Sequence, residues 1–129
     1  MIQFFDAYKI KKEDLHNYSF IKPEKFLNHL NINYVIGSAG CKISHYELIK
    51  SIQENNKYSL ILEDDVVLEY NFIDYIFCAL KQLKNKEFDL LYLGCNLNEN
   101  NNNLVSNNIL SVKYPKTTTA YLIQNYKEI

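Results

Sequence analysis

The chain has 129 residues, a length that predicts one modest globular domain over residues 1–129. Its hydrophobic content of 47% and charged content of 22% are the balance of a soluble globular protein. The net charge of -1 leaves no basic surplus, so we expect no nucleic-acid partner. All 14 basic residues are lysine, which excludes an arginine fork as a phosphate clamp.

The cysteines and the amino terminus predict where the protein resides. Cys41, Cys78 and Cys95 show no C-x-x-C spacing and no paired spacing with histidine, which argues against a structural zinc site and fits a reduced compartment. The first 14 residues lack the apolar core of a signal peptide, and no apolar run is long enough to span a membrane. We therefore expect a cytoplasmic protein with no membrane span.

The first third of the chain predicts short strands and helices in alternation. Residues 2–5 (IQFF) are predicted as a strand, followed by a polar connection, and Pro23 suits the first turn of a helix over residues 23–30. Residues 32–37 (INYVIG) are predicted as a second short strand. Ser38 then suits the N-cap of a helix that ends at residues 54–57 (ENNK) and carries one face of Cys41, His45, Leu48 and Ile52.

The middle of the chain predicts a strand, a helix and a strand. Residues 58–62 (YSLIL) form an apolar run without alternation, which is typical of a strand buried on both faces. Residues 71–84 predict a helix, and residues 88–94 (FDLLYLG) predict a second buried strand. This order predicts a βαβ unit with parallel strands. The helix carries an apolar stripe of Phe72, Ile76, Leu80 and Leu83, widened by Ile73 and Phe77.

The last third predicts a polar, asparagine-rich loop over residues 95–108, then an edge strand that Pro115 ends. Residues 117–125 (TTTAYLIQN) begin with three β-branched residues and predict a final strand.

Three consecutive carboxylates, Glu63, Asp64 and Asp65, follow the first buried strand. Parallel sheets bind ligands at the carboxyl ends of their strands, where a divalent cation would offset the mutual repulsion. If the backbone stays extended, Glu63 and Asp65 face one side and Asp64 the other. Carboxylate oxygens suit Mg²⁺ or Mn²⁺. The alternative is a solvated acidic strand end that favours the dipole of the next helix.

A second candidate site lies at the predicted start of the helix after Ser38. Glycines there allow close approach of a ligand, and helix amino-terminal N–H groups attract phosphate. Ser44 and His45 in the first turns could hydrogen-bond a sugar or a phosphate. The alternative is a capping cluster with a histidine that belongs to the core.

Four segments together resemble glycosyltransferase family 25, which includes lipopolysaccharide sugar transferases and procollagen galactosyltransferases. They are GCKISHYELIK, YSLILEDDVVLEYNF, FDLLYLG and TTTAYLI, in the family's order. They match its G-C-x-x-S-H, I-L-E-D-D-V, D-x-I/L-Y-L-G and A-Y-L-I patterns. The resemblance is most specific between about Gly37 and Gly94.

The resemblance implies an α/β fold of the GT-A type, with a mostly parallel sheet flanked by helices. It implies metal-assisted, inverting transfer of a hexose from a nucleotide sugar, UDP-galactose or UDP-glucose, to a hydroxyl of a saccharide or hydroxylated peptide. It also assigns residues: nucleotide-sugar binding to Gly40, Cys41, Ser44, His45 and Asp64, and Mn²⁺ or Mg²⁺ binding to Glu63, Asp64 and Asp65.

The chain also departs from the family's pattern. The family's additional first strand is not found before Ile2, and Thr119 stands where many members carry histidine. No catalytic base is assigned, because Asp89 lies at the wrong end of its predicted strand and Glu128 lies in the terminal tail. We therefore expect a core shortened at both ends. It could be a non-catalytic relative, or a subunit that a second chain completes. A third alternative is a receiver-like phosphoacceptor module, disfavoured because residues 88–94 end in glycine rather than aspartate.

Overall fold

A computed structural model describes residues 2–17, 31–52, 57–96, 103–112 and 119–124. The chain divides into two compact units, Met1–Ile52 and Gln53–Ile129, and each is described by itself. The helix predicted over residues 23–30, together with Pro115 and Glu128, lies outside the described residues. The prediction of a single domain over residues 1–129 stays a prediction.

The first unit is built on one long helix, α1, Ile32–Ser51, with a short 3₁₀ helix, Lys12–Asn17, before it. The Asn31 side chain caps α1 by accepting a hydrogen bond from the Asn33 N–H at 2.9 Å. The strand predicted over residues 32–37 and the cap predicted at Ser38 are therefore wrong, since both lie inside α1. The strand predicted over residues 2–5 is also wrong, because no strand forms there.

The core of the first unit uses a different face of α1 from the one the sequence predicted. Val35, Ala39 and Ile43 are buried at four-residue spacing, and Leu15 of the 3₁₀ helix is 2% exposed. Cys41, by contrast, is exposed, and His45 is half-buried. The predicted helical period is confirmed, but the buried face is a different one, because the 3₁₀ helix and the amino-terminal segment pack against the side of α1 that carries Val35, Ala39 and Ile43 rather than the side that carries Cys41.

The described part of the second unit contains five strands and one helix. The strands are β1 Tyr58–Leu62, β2 Leu90–Gly94, β3 Asn103–Ser106, β4 Ile109–Ser111 and β5 Ala120–Gln124, and the helix is α2, Phe72–Gln82. The predicted segments for β1, α2, β2, β4 and β5 are confirmed. The loop predicted over residues 95–108 is wrong at Asn103–Ser106, because these residues pair with β4 across a two-residue turn at Asn107 and Asn108.

The fold contains both helices and strands, as an α/β prediction requires, but the predicted parallel sheet is wrong. The larger sheet has the order β1-β5-β2, and both of its pairings are antiparallel. Since β1 and β2 each run antiparallel to β5, they point the same way with β5 between them. The predicted βαβ connection exists, but its two strands do not pair, because the last strand of the chain separates them.

Burial follows this strand order. The central strand β5 buries three consecutive residues, Ala120, Tyr121 and Leu122, whereas only Ile61 of β1 is buried. The prediction of strands buried on both faces therefore fails for β1 and β2 and describes β5. In α2, Ile76 is buried, as is Leu83 just after the helix, but Ile73 and Phe77 are exposed rather than part of the buried stripe.

The β3–β4 hairpin is tied to the end of α2 by side chains. The Lys86 ammonium donates to the carbonyl oxygen of Val105, and the Ser106 hydroxyl donates to Gln82 Oε1 at 2.5 Å. Within the described ranges, no helix has the length and hydrophobicity needed to cross a membrane.

Candidate functional site

The candidate site lies at one edge of the larger sheet, where β1 and β2 end and β5 begins. Leu62 of β1 and Gly94 of β2 both stand opposite Ala120 of β5, with a register irregularity between Tyr92 and Gly94. The segments that follow β1 and β2 therefore leave the sheet at the same edge. The prediction that the carboxylates follow the end of the first strand is confirmed, although the sheet that arranges them is antiparallel.

The three carboxylates form a tight turn at this edge. The Glu63 N–H donates to the Thr119 carbonyl oxygen at 2.9 Å, and the Val66 N–H donates back to the Glu63 carbonyl oxygen at 3.3 Å. Asp64 and Asp65 are the exposed corner residues of this turn, and Glu63 is half-buried. The backbone is thus not extended, and the expected alternation of Glu63, Asp64 and Asp65 between two faces does not apply. We call Glu63–Val66 the acidic turn.

The acidic turn offers oxygen ligands of the kind that Mg²⁺ and Mn²⁺ prefer. Within the part of the chain that the structure describes, the Asp64 and Asp65 side chains have no hydrogen-bonding or ionic partner. Two neighbouring carboxylates without a cationic partner repel each other, and a bound cation would remove that repulsion. Among the described residues, however, the carboxylates of Glu63, Asp64 and Asp65 do not lie close enough together to hold one ion as a set of three. Metal binding by this turn stays a prediction.

Tyrosines from β2 and β5 lie beside each other next to this edge. The rings of Tyr92 and Tyr121 are 6.0 Å apart between centroids and tilted by 43°. Burial raises the pKa of the Tyr92 phenol above its ordinary value of 10.0, and the charge interaction with Cys95 raises it further. No role was predicted for this pair. The Y-L-G and A-Y-L-I motifs were the signal that could have pointed to it.

The G-C-x-x-S-H residues lie in the middle of α1, not at its amino terminus. The predicted phosphate site at a helix start is therefore wrong, because N–H groups inside a helix donate to helix carbonyls. Gly40 is buried against the amino-terminal segment: a Cβ atom there would lie 3.1 Å from the Tyr8 carbonyl oxygen and 3.7 Å from Ile10 Cγ1. The absence of a side chain lets this segment approach the helix.

Ser44 holds the same segment by its hydroxyl. Its Oγ donates to the Gly40 carbonyl oxygen at 2.7 Å and accepts from the Tyr8 N–H at 2.9 Å. Cys41 and His45 lie one turn apart on α1, exposed and half-buried respectively, and both have interaction partners. This geometry gives Gly40 and Ser44 a packing role. Their assignment to nucleotide-sugar binding, like that of Cys41 and His45, stays a prediction.

Comparison with known proteins decides the family. The model for Glycosyltransferase family 25 (LPS biosynthesis protein) matches residues 1–128. The chain belongs to glycosyltransferase family 25. No curated protein and no solved structure gives a significant match. Family 25 membership covers both units, and it includes the G-C-x-x-S-H motif of the first and the acidic turn of the second. It supports glycosyl transfer as the class of activity.

Proposed function

We propose that this chain transfers a hexose from UDP-galactose or UDP-glucose to a hydroxyl group of a saccharide or a hydroxylated peptide, with inversion at the sugar carbon. The observation that carries the proposal is the acidic turn at the shared end of β1 and β2, in a chain that matches the family from residue 1 to residue 128. Transfer requires a site that stabilises the leaving nucleoside diphosphate, and this turn is the candidate for it.

The acidic turn would hold Mn²⁺ or Mg²⁺ through Glu63, Asp64 and Asp65. Such an ion, when bound, supplies positive charge to the diphosphate of the donor. Glu63 contributes in a second way, because its backbone N–H fixes the turn to β5. Asp64 and Asp65 are exposed, so a ligand from solvent can reach their carboxylates without disrupting the sheet.

The remaining donor contacts are assigned to Gly40, Cys41, Ser44 and His45 by family resemblance. The hydrogen bonds of Ser44 in α1 bear on this assignment. Ser44 Oγ already has both a donor and an acceptor partner, so a contact to the sugar nucleotide would compete with the Tyr8 N–H. Cys41 and His45 also have interaction partners, so their contact with the donor rests on the family resemblance alone. No residue is assigned as the base that deprotonates the acceptor hydroxyl.

A non-catalytic relative is the second candidate function. The observation that favours it is the packing role of Gly40 and Ser44, since a motif kept for packing can outlast activity. Such a protein would retain the fold and lose turnover.

The experiment is release of UDP from UDP-galactose and UDP-glucose by the purified chain, with and without Mn²⁺. We expect Mn²⁺-dependent release by the wild type, a loss of at least tenfold for the double variant Asp64→Asn, Asp65→Asn, and no change for Glu87→Gln, an exposed acid that precedes β2. A folded wild-type chain without turnover supports the non-catalytic relative. Turnover that is equal in all three proteins rules out the acidic turn as the metal-dependent donor site.

A further inference from the structure

An open groove lies at the other end of β1 from the acidic turn. Its volume is about 260 Å³, and it is lined by Lys57, Tyr58, Phe77, Leu80, Lys81 and Lys84. We call it the basic groove. Of the described residues that line it, half are cationic, the other half are aromatic or aliphatic, and none is a carboxylate. The proposed sugar transfer gives no role to any of these residues.

Helix α2 exposes large apolar side chains in the basic groove and beside it. The Phe77 side chain is 59% exposed on α2, and Ile73, one turn earlier, is 46% exposed. The Tyr58 ring stacks on Phe88 with centroids 6.1 Å apart and planes 3° apart, so it forms a fixed wall. Large apolar side chains that stay exposed beside a polar rim are typical of a binding surface.

The cations are concentrated although the chain as a whole carries a net charge of -1. Lys57 Nζ lies 5.5 Å from the centroid of the Tyr58 ring. Among the described residues, the ammonium groups of Lys81 and Lys84 have no ion-pair partner. Three ammonium groups around an apolar surface predict an anionic ligand that also has hydrocarbon to bury.

We propose that the basic groove binds the surface of an anionic phospholipid bilayer, with Phe77 and Ile73 at the headgroup boundary and the three lysines over the headgroups. An exposed apolar stripe bordered by lysine is the pattern of a helix that lies in the membrane interface. The chemistry favours a bilayer over a small phosphate compound. The groove is open, and lysine is a point charge on a flexible stem that suits diffuse negative charge, whereas arginine provides the planar fork for one phosphate.

Lys81 and Lys84 would also favour the dipole at the carboxyl end of α2 without any membrane. That role predicts a loss of helix stability when they are changed, but no effect of lipid charge. Binding to vesicles separates the two roles, and unfolding of each variant, followed by circular dichroism, measures the dipole effect independently.

The test is flotation of the full chain with vesicles of phosphatidylglycerol mixed with phosphatidylcholine, and with phosphatidylcholine alone. We expect binding only to the anionic vesicles. Lys81→Gln with Lys84→Gln should weaken it roughly 30-fold, the loss expected for two lysines at a charged membrane surface. Phe77→Ala should weaken it by about tenfold through lost apolar contact. Lys11→Gln with Lys12→Gln, which removes the same charge from exposed positions in the other unit, should bind as the wild type does.

Three outcomes would overturn the proposal. One is a wild-type chain that does not float with anionic vesicles. Another is an equal loss of binding in the two double-lysine variants, which would mean that net charge alone is responsible. The third is competition by inorganic phosphate beyond that of sodium chloride at the same ionic strength, which would mean a pocket for a soluble anion. If the Lys81, Lys84 variant does not fold, Lys57→Gln and Phe77→Ala carry the same comparison.

Discussion

The backbone N–H of Glu63 donates to the carbonyl oxygen of Thr119 at 2.9 Å, which joins the acidic turn to the start of the central strand β5. The link uses only main-chain atoms. Substitution of the carboxylates by amides therefore leaves it intact, and side-chain chemistry at the turn can be changed without changing its position. Amide substitutions therefore test the chemistry of the carboxylates without moving the turn.

Ser44 provides the first prediction, because its hydroxyl bridges α1 and the amino-terminal segment. Ser44→Ala removes the acceptor of the Tyr8 N–H, and we expect a local loss of about 1 kcal/mol and faster amide hydrogen exchange at Tyr8. Ser38→Ala, at an exposed position of the same helix, is the matched control and should leave the exchange of Tyr8 unchanged. Equal exchange in both variants would show that the hydroxyl does not hold this segment.

The two glycines of α1 provide the second prediction. Replacing glycine by alanine inside a helix normally stabilises it by about 0.5–1 kcal/mol. Gly37→Ala should show this gain, since no atom of the described residues lies within 4 Å of its added Cβ atom. Gly40→Ala should gain less or lose stability, because its Cβ atom would meet the Tyr8 carbonyl oxygen at 3.1 Å. Urea unfolding measures both, and an equal gain at the two positions would contradict the close approach.

Most of the second unit was predictable because its signals are local. The existence of β1, α2 and β5 follows from apolar or β-branched runs and one helical period. The structure confirms all three, with the predicted bounds exact for β1 and shorter for α2. The order β1-β5-β2 was not predictable from these signals, because pairing depends on contacts between residues far apart in sequence. The β3–β4 hairpin had a signal that was missed: two asparagines, Asn107 and Asn108, between apolar residues.

The first unit was predicted less well, for a different reason. The run INYVIG is rich in β-branched and aromatic residues and resembles a strand, yet Val35 belongs to the buried face of α1. Tertiary packing of Val35, Ala39 and Ile43 outweighs the weak local preference. The displaced helix start in turn moved Gly40 and Ser44 from a predicted phosphate site to the middle of the helix.

Tyr92 provides a prediction about pH. Its folded-state pKa is raised, first by burial and then by Cys95, above the ordinary value of 10.0. Between these two values the native state binds more protons than the unfolded state, so its stabilising contribution is full below pH 10.0 and is lost as pH rises through the raised pKa. Tyr92→Phe should therefore make the alkaline fall in unfolding free energy less steep.

The comparison for Tyr92 is Tyr75→Phe, which changes a tyrosine that is 63% exposed on α2. Urea unfolding of the wild type and both variants at neutral pH and above pH 10.0 gives the slopes. We expect the Tyr75 variant to follow the wild type. A Tyr92 variant as steep as the wild type would show that burial of this phenol contributes nothing to alkaline unfolding.

The most direct measurement for the proposed donor site is thermal unfolding of the chain with UDP and Mn²⁺ together. A ligand that binds only the native state stabilises it by about 2.7 kcal/mol at a hundredfold excess over its Kd. We predict a rise in Tm for the wild type and for Glu87→Gln, and little or no rise for Asp65→Asn. Equal shifts in all three proteins, or no shift in the wild type, would contradict a metal-dependent nucleotide site at the acidic turn.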